Sequence, residues 1–448
     1  NKNTVFNTFN YKEYLKYEHI NYIFNIKKIN KISSNNKIRY KVKNFIIERI
    51  EKNVNKDYLY TFILGNSKYI DSNVMDSYRI NGISHLFSVS GMHISLLTII
   101  ILKVFDRFKF KDIIVIFIVI LYMFLTDFSP SILRSGIFFI LLMIKKKFNL
   151  NITNSLLMIL LFSICVFIDP YIIYKIGFQY SFIISFFLII FNDVISNAQN
   201  KIKKLFIISF ISFISSLPIT INNFYEVNFL SIILNIIFVP ILSSFIFPIT
   251  LLSIIIPIPY LNNLIDVFEY ISLLFSKIDI FVITLCKIKV IYIIIYYIVI
   301  YYTMYSIKIK KYKNIIILIL IMFIHTLIPY LNNNTEVIFI DVGQGDSIFI
   351  KLPNNKGNIL IDTGGKINYK KEKWEIRNNN YMLSNNTITY IKSLGINKLD
   401  YLIVTHGDYD HMGEAINSVE NFNVEKVIFN CGEVNELEQD LIKVLDKK

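Results

Sequence analysis

Four side chains that can bind a metal ion lie within six residues of the sequence: His406, Asp408, Asp410 and His411. Imidazole and carboxylate groups together suit zinc, manganese and similar divalent ions. The segment follows a predicted strand, and a loop at a strand end can present successive side chains to one cavity. Two divalent ions about 3.5–4 Å apart can activate a water molecule and clamp a phosphate group. A surface loop with two chance histidines is the weaker interpretation, because the whole chain has only six histidines.

Two glycine-rich turns earlier in the sequence carry further acidic and amide side chains. The first holds Asp341, Gln344 and Asp346 between two predicted strands, and the second holds Asp362 directly after another strand. Gly and Asp are common in turns, so each turn alone is weak evidence. Their order ahead of the His/Asp cluster makes these four residues candidates for active-site loops.

Short strands that alternate with helix signals must position these side chains. Runs of β-branched and aromatic residues between turn residues predict strands at 337–340, 347–352, 358–361, 401–404 and 426–429. A helix is predicted at 386–394, and Gly395 is its stop signal. This alternation predicts an α/β sandwich over residues 336–448.

The composition indicates a lipid environment for much of the chain. Of its 448 residues, 54% are hydrophobic and 18% are charged, whereas a soluble domain carries about 25% charged residues. These values exclude a disordered chain and an ordinary soluble enzyme. Three scattered cysteines exclude a disulfide scaffold. The net charge of +14 favours anionic partners, either lipid headgroups or nucleic acid.

Charge and hydropathy divide the chain into three zones. Residues 1–57 are basic, with 13 Lys and Arg against 5 Asp and Glu, and residues 336–448 have ordinary polarity, with 13 against 17. Residues 58–331 predict a polytopic α-helical membrane domain of about ten spans, since about 20 apolar residues cross a bilayer. The candidate spans are 83–104, 110–126, 131–144, 152–168, 178–195, 205–219, 229–247, 265–286, 290–306 and 314–331.

Prolines and basic clusters set the expected topology. Pro248, Pro257 and Pro259 interrupt residues 248–259, which we interpret as a broken or re-entrant element. The basic clusters then fall on one side, which the positive-inside rule makes cytoplasmic, and both ends of the chain fall outside. A crossing by 248–259 would invert the later part. The clusters are 103–111, 145–147, 201–204 and 308–313.

Polar residues inside apolar spans are costly and usually functional. His85 and His93 lie eight residues apart, close to one helical face, where they either face a pore or bond to neighbouring helices. For Arg134, near the start of a short predicted span, snorkelling to lipid headgroups and binding of phosphate both stay open. An asparagine at membrane depth needs an internal partner or a water-filled cavity. The candidate channel residues are His85, Ser90, His93, Arg134, Gln179 and Asn235.

These segments together resemble the ComEC family of competence proteins. The matching motifs follow the family's order: Ser84-His85-Leu86, Val89 to His93, Ser131 to Arg134, Gly177 to Gln179, Asn235 to Pro240, Asp341 to Asp346, Asp362 to Gly364 and His406 to His411. The last three resemble the metallo-β-lactamase fold in the form that this family carries. Asp408 stands where the wider superfamily has His, as in the ComEC form.

The resemblance implies roles for the cluster. His406 and Asp408 would hold one divalent ion, Zn or Mn, and Asp410 and His411 a second, with Asp410 also the catalytic residue that orients the attacking water. The implied reaction is hydrolysis of a phosphodiester. The fold needs a second half with further ligands, yet no histidine follows His411. We therefore expect a truncated domain over 336–448, with impaired or absent catalysis.

The basic first zone carries a further part of the resemblance. Residues 9–17 and 20–29 would be the late strands of a partial OB-like extracellular β region. Positive charge with interleaved Tyr and Phe suits single-stranded nucleic acid, through backbone attraction and base stacking. A basic, solvated connector is the alternative interpretation of residues 1–57.

By the resemblance, the function is transport of single-stranded DNA across the bacterial cytoplasmic membrane during natural transformation. The metal-binding domain would degrade the strand that is not imported. Expected partners are single-stranded DNA, a surface DNA receptor, a cytoplasmic ATP-driven DNA motor and membrane lipids, with a homo-oligomer also open. A membrane-anchored metallohydrolase acting on lipid or cell-wall material, and a nonfunctional fragment of the channel, are the alternatives. An anchor needs one or two spans rather than about ten with embedded polar residues.

Overall fold

A computed structural model describes residues 4–24, 26, 28, 30, 38–256, 258, 260–343, 345–365 and 384–446. Gln344, Pro257 and Pro259 lie outside the described residues. The chain divides into two compact units, which we describe separately. The helical unit comprises residues 19–216 and 228–281, and the mixed unit comprises residues 1–18, 217–227 and 282–448.

Most of the described chain is helical. The helices are α1 (Tyr11–Tyr17), α2 (Ile38–Glu51), α3 (Lys56–Leu64), α4 (Ser72–Ile80), α5 (Gly91–Val104), α6 (Lys111–Leu125), α7 (Pro130–Lys147), α8 (Asn154–Ile168), α9 (Ile176–Ile190), α10 (Asn192–Ser196), α11 (Lys201–Phe224), α12 (Ser231–Ile241), α13 (Phe247–Ser253), α14 (Leu261–Phe275), α15 (Val290–Lys308), α16 (Ile315–Leu327), α17 (Ser384–Ser393), α18 (Tyr409–Met412), α19 (Ala415–Asn421) and α20 (Glu436–Leu445). The strands are β1 (Glu226–Asn228), β2 (Val282–Thr284), β3 (Glu336–Phe339), β4 (Ile348–Lys351), β5 (Asn358–Ile361), β6 (Lys398–Ile403) and β7 (Asn423–Ile428).

The described residues include four helical segments that are long and apolar enough to cross a bilayer: Lys201–Phe224, Ser231–Ser253, Val290–Lys308 and Tyr312–Leu331. These segments, in a chain rich in exposed apolar side chains, make it a membrane protein. Three further apolar helices, α5, α8 and α9, have 14 or 15 residues and are shorter than the roughly 20 residues that a span requires. A total of about ten spans stays a prediction.

Two predicted membrane elements differ from the structure. Residues 248–253 do not form a separate broken element, because a π-helical turn at Leu242–Ile246 joins α12 to α13. This wider turn accommodates Pro248, which cannot donate a backbone hydrogen bond. The predicted span 265–286 is also wrong: α14 ends at Phe275, and Val282–Thr284 form β2. The exposed Lys277 and Asp279 interrupt the apolar run between them.

The prediction of OB-like strands near the start of the chain is wrong for the described residues. Residues 11–17 form α1, whose first turn is capped by Asn10 through a 3.2 Å hydrogen bond to the Glu13 amide. No strand is present in the described part of residues 20–29. The frequent Tyr and Phe residues suggested strands, but a capped helix satisfies the backbone locally.

The start of the chain packs within the mixed unit. Val5 is buried in the same apolar cluster as Phe349 and Leu360 of the sheet. The Asn7 side-chain amide donates to Ser393 Oγ at 3.1 Å, and the Tyr225 hydroxyl donates to the Asn7 carbonyl at 2.7 Å. The expected single region 1–57 is therefore divided, with its first 18 residues in one unit and the rest in the other.

The five strands predicted in the last zone are confirmed to within a few residues. They form one sheet in the order β3-β4-β5-β6-β7, with antiparallel pairing up to β5 and parallel pairing from β5 to β7. Buried residues of α17, α19 and α20 pack with one face of this sheet. The predicted helix at 386–394 is α17, and Gly395 follows it with φ of +77°.

Candidate functional site

Parallel strand pairing brings the predicted site together. Ile361 of β5 lies opposite Ile403 of β6, so the carboxyl ends of these strands are neighbours. Asp362 follows β5 directly, and the segment 405–411 follows β6. A short helix, α18, then turns the chain so that Asp410 and His411 face back toward the strand ends.

The structure brings three of the four predicted metal ligands together, and the fourth, Asp408, lies beside them. Ligand atoms of His406, Asp410 and His411 lie within 4.8 Å of one another, and the two imidazole centroids are 3.7 Å apart. Asp408 is the outermost member, with a carboxylate oxygen 3.7 Å from His406 Nε2. Asp410 places a carboxylate oxygen 3.9 Å from His411 Nε2.

Asp362 is the buried centre that orients this cluster. Its carboxylate accepts the Thr405 amide at 2.9 Å, the Thr405 hydroxyl at 2.6 Å and His411 Nδ1 at 2.9 Å. Only 3% of the residue is exposed. Its φ of +56° is a left-handed value that costs a non-glycine residue free energy, a feature concentrated at functional sites.

The hydrogen bonds fix the tautomers of both histidines so that Nε2 of each ring can bind a metal ion. Because Asp362 only accepts, His411 must carry its proton on Nδ1, which leaves a lone pair on Nε2. Thr405 Oγ1 gives its proton to Asp362, so it accepts from His406 Nδ1 at 3.0 Å, and His406 Nε2 is also free. Imidazoles held in this way by carboxylates and hydroxyls are typical of metal sites. Two imidazoles and the Asp410 carboxylate therefore fit a divalent ion, with the Asp408 carboxylate next to His406.

The local charge is strongly negative around His411. Burial disfavours its imidazolium form, but the hydrogen bond and charge of Asp362, with the charges of Asp410 and Asp346, outweigh burial and raise the pKa of His411 above its ordinary value. The same carboxylates that stabilise a proton on this ring would stabilise a divalent cation.

The first glycine-rich turn lies directly against the cluster. Gly345 has φ of +92°, and a Cβ on it would collide with the Asp410 carbonyl. Only glycine therefore lets this turn approach Asp410. Asp341 closes the turn by accepting the Gly343 amide at 2.9 Å, and its side chain is not part of the ligand cluster. The exposed Asp346 acts on the site through its charge.

Two residues of the site were missed by sequence reasoning. Thr405 links Asp362 to His406, and Asn435 donates to the Gly407 carbonyl at 2.5 Å, which ties the ligand loop to the start of α20. Asn435 also caps α20 by accepting the Glu438 amide at 3.0 Å. The pattern Asn435-x-x-Glu438 is a capping-box signal, but nothing local indicates its contact with Gly407.

In the helical unit, His93 is a buried residue. It is 0% exposed and packs against Phe62 and Phe247, with ring centroids 5.6 and 4.7 Å away. Its Nδ1 accepts the Ser90 amide at 3.1 Å at the start of α5. Its Nε2 is buried without a partner in the described residues. His85 lies apart from it, exposed, with Nδ1 3.1 Å from the Gly82 carbonyl.

The other predicted channel residues occupy different places. Arg134 is 8% exposed, so it does not snorkel to the surface, and its Nε donates to Ser181 Oγ at 2.6 Å. Gln179 donates to the Ile173 carbonyl at 2.8 Å in a local contact. Asn235 lies within α12, and its Oδ1 is buried without a partner in the described part of the chain. The Arg134 guanidinium lies near the start of α5, where Ser90 and His93 also lie, and no described contact joins Gln179 or Asn235 to this group.

Comparison with known proteins decides the family. Residues 62–310, more than half of the chain, match the family described as Competence protein, and residues 340–430 match the Metallo-beta-lactamase superfamily. The chain belongs to the competence protein family, in its ComEC form. It is similar to ComE operon protein 3 of Bacillus subtilis (strain 168), with 26% identity over 97% of this chain and 59% of that protein.

The two family matches fall in the second and third zones of this competence-family chain. The family region covers the helical unit from residue 62 onward and extends into the helices of the mixed unit. The second match contains all four predicted ligands. The chain spans 59% of the length of the curated relative it matches. No solved structure matches the chain.

Proposed function

We propose that this protein carries single-stranded DNA across the bacterial cytoplasmic membrane during natural transformation. The observation that carries the proposal is the presence, in one chain, of a competence-family membrane region and a metal site of a kind that suits phosphodiesters. Polar groups are buried in the apolar helical unit, namely the side chains of Arg134 and His93 and the Oδ1 atom of Asn235. Such groups fit a transport role better than a membrane anchor.

Contacts within the mixed unit support the proposed topology. The Leu285 amide donates to the Tyr225 carbonyl at 2.7 Å, so the chain between them leaves and returns to one side of the membrane. Helices α12 and α13 form one continuous apolar segment, so residues 248–253 add no separate crossing. The clusters at 201–204 and 308–313 then lie at helix ends opposite this side, which makes the sheet extracellular.

The packing of the first residues fits the same arrangement. Val5 and Asn7 contact the sheet-bearing part of the mixed unit, so the first residues of the chain and the sheet lie on the same side of the membrane. Exposed Phe9, Tyr11 and Tyr14, with Lys12 between them, would offer incoming bases aromatic surfaces and the backbone a positive charge. Driving force would come from a surface DNA receptor and a cytoplasmic ATP-driven motor, neither of which is part of this chain.

For the sheet domain we propose metal-dependent phosphodiester hydrolysis in the complete protein. His406 and Asp408, with Asp410 and His411, would hold two divalent ions, and Asp362 and Thr405 fix the orientation of the two imidazoles. Bound ions would polarise the phosphate and lower the pKa of a water. Asp410 is half exposed and could accept a hydrogen bond from that water.

Two measurements test these proposals separately. For transport, we expect cells that express this chain as their sole competence-family membrane protein to convert surface-bound labelled DNA into a nuclease-resistant form. For hydrolysis, we expect the full chain in detergent to bind Zn²⁺ or Mn²⁺ and to lose this binding in Asp410→Asn. A chain that binds no divalent ion would contradict the metal centre and leave the transport proposal standing.

A further inference from the structure

We propose that Arg134 and the amino end of α5 form a binding site for one phosphodiester group of the transported strand. The inference rests on the proposed function for the identity of its ligand. Its structural basis is independent of that function, because it concerns two positive groups inside the helical unit that have no negative partner among the described residues.

The first positive group is the Arg134 guanidinium. It is 8% exposed, and no carboxylate lies within 4.0 Å of it in the described chain. Its single hydrogen bond there runs from Nε to Ser181 Oγ, at 2.6 Å. Both terminal nitrogens, the fork that binds phosphate oxygens, therefore lack an acceptor. A buried charge without a counter-ion is costly, so its presence calls for a ligand.

The second positive group is the start of α5, a helix of 14 residues. The Ser90 amide is satisfied by His93 Nδ1 at 3.1 Å, whereas the Gly91 and Met92 amides have no acceptor in the described residues. Free amides and the helix dipole give this end a partial positive charge. Helix amino ends of this kind bind phosphate groups.

These two groups are adjacent. Arg134 Nη2 lies 3.6 Å from the point that a Cβ on Gly91 would occupy, and the Ser135 Cβ is 3.3 Å from the same point. A guanidinium beside a helix amino end is repulsive unless an anion lies between or beside them. A Cβ on Gly91 would be in ordinary van der Waals contact with Nη2 and in a tight contact with Ser135.

The surroundings hold the guanidinium in a fixed direction. Ser181 anchors Nε, and the Phe182 ring lies 5.8 Å from the guanidinium carbon. Helices α5, α7 and α9 thus enclose the site inside the helical unit rather than on its outer surface. A phosphodiester has one negative charge and two free oxygens, which matches one guanidinium fork and a pair of backbone amides. The enclosed position favours a transported strand over the headgroup of an annular lipid.

The test measures the affinity of the full chain, in maltoside detergent, for a labelled oligonucleotide of twelve thymidines. Arg134→Gln is compared with Arg79→Gln, since Arg79 is exposed and already paired with Asp76 at 2.8 Å. At 0.3 M salt, which screens surface attraction, we expect R134Q to weaken binding by about ten- to a hundredfold, the value of a charged hydrogen bond. We expect R79Q to match the unmodified protein.

Three further readouts identify the ligand. An oligonucleotide with uncharged methylphosphonate linkages should bind the unmodified chain at least as weakly as the ordinary oligonucleotide binds R134Q. The R134Q change should weaken binding of the uncharged oligonucleotide no further. The thermal midpoint of R134Q should equal or exceed that of the parent, because an unpaired buried charge is removed; a purely structural arginine would lower it. Arg134→Lys, which keeps the charge without the fork, should recover part of the affinity.

Equal binding by R134Q and the parent would overturn the proposal. A phospholipid that copurifies with the parent and is absent from R134Q, with oligonucleotide binding unchanged, would assign the site to lipid instead. The uptake assay separates the two levels of inference. A parent chain that imports no DNA contradicts the proposed function, whereas an importing parent with an equally active R134Q contradicts only this site.

Discussion

Replacing Thr405 by Val should weaken metal binding without unfolding the sheet domain. Thr405 is not a ligand, but its hydroxyl donates to Asp362 at 2.6 Å and lies 3.0 Å from His406 Nδ1. Val has nearly the same shape and no hydroxyl, so the change removes these two contacts. His406 then loses the acceptor that keeps its proton on Nδ1 and its lone pair on Nε2.

The magnitude follows from the contacts that are lost. The hydroxyl contact with a carboxylate contributes about 1.5–3 kcal/mol. Changes in residues that orient metal-binding histidines typically reduce metal affinity about 10–100-fold, which corresponds to roughly 1.4–2.7 kcal/mol. The two ranges overlap, so we expect a Kd for Zn²⁺ about 10–100 times that of the parent.

The assay is titration of the full chain in detergent with Zn²⁺ against a competing chelator dye. Thr387→Val is the matched control, because Thr387 is buried in α17 and its hydroxyl has no partner in the described residues. This variant should bind Zn²⁺ with parental affinity and should be at least as stable. Parental affinity in T405V, or an equal loss in T387V, would refute the assigned role of Thr405.

Three other variants test the site and the helical unit. Gly345→Ala should abolish metal binding, because the added Cβ would collide with the Asp410 carbonyl and the backbone φ of +92° disfavours alanine. Gly177→Ala is the control: its Cβ would have no atom within 4 Å, so metal binding in the same titration should not change. Asn435→Ala should lower the thermal midpoint through loss of a cap of about 1 kcal/mol and also weaken Zn²⁺ binding by releasing Gly407. His93→Ala should destabilise the full chain by about 1–3 kcal/mol, because the Ser90 amide loses its buried acceptor; an unchanged midpoint would contradict this.

Local patterns predicted the sheet domain well and its internal contacts poorly. Residues 358–361 are a short β-branched run between turns, and the strand is found there. The four ligands share one loop, so their clustering needed no distant information. Thr405 and Asp362 are 43 residues apart in sequence, and their contact arises from the pairing of β5 with β6. No local signal carries such a contact.

The errors in the membrane part have a common physical origin. Residues 265–286 have an apolar average, but Lys277 and Asp279 end the helix and a short strand follows. Residues 248–253 contain a proline that predicts a break, yet the π-turn at Leu242–Ile246 absorbs it. Composition alone does not report such backbone adjustments, because they depend on the packing of Leu242 and Ile246 in the core of the helical unit.

The most direct test of the central claim is import of DNA by this chain in living cells. Cells without any other competence-family membrane protein should express it, receive labelled double-stranded DNA, and be treated with external nuclease. We predict that a fraction of the label becomes nuclease-resistant and single-stranded, and that this fraction falls about tenfold or more in R134Q with surface binding unchanged. Label that stays fully nuclease-sensitive, with the chain present in the membrane alongside the receptor and motor, would contradict the account.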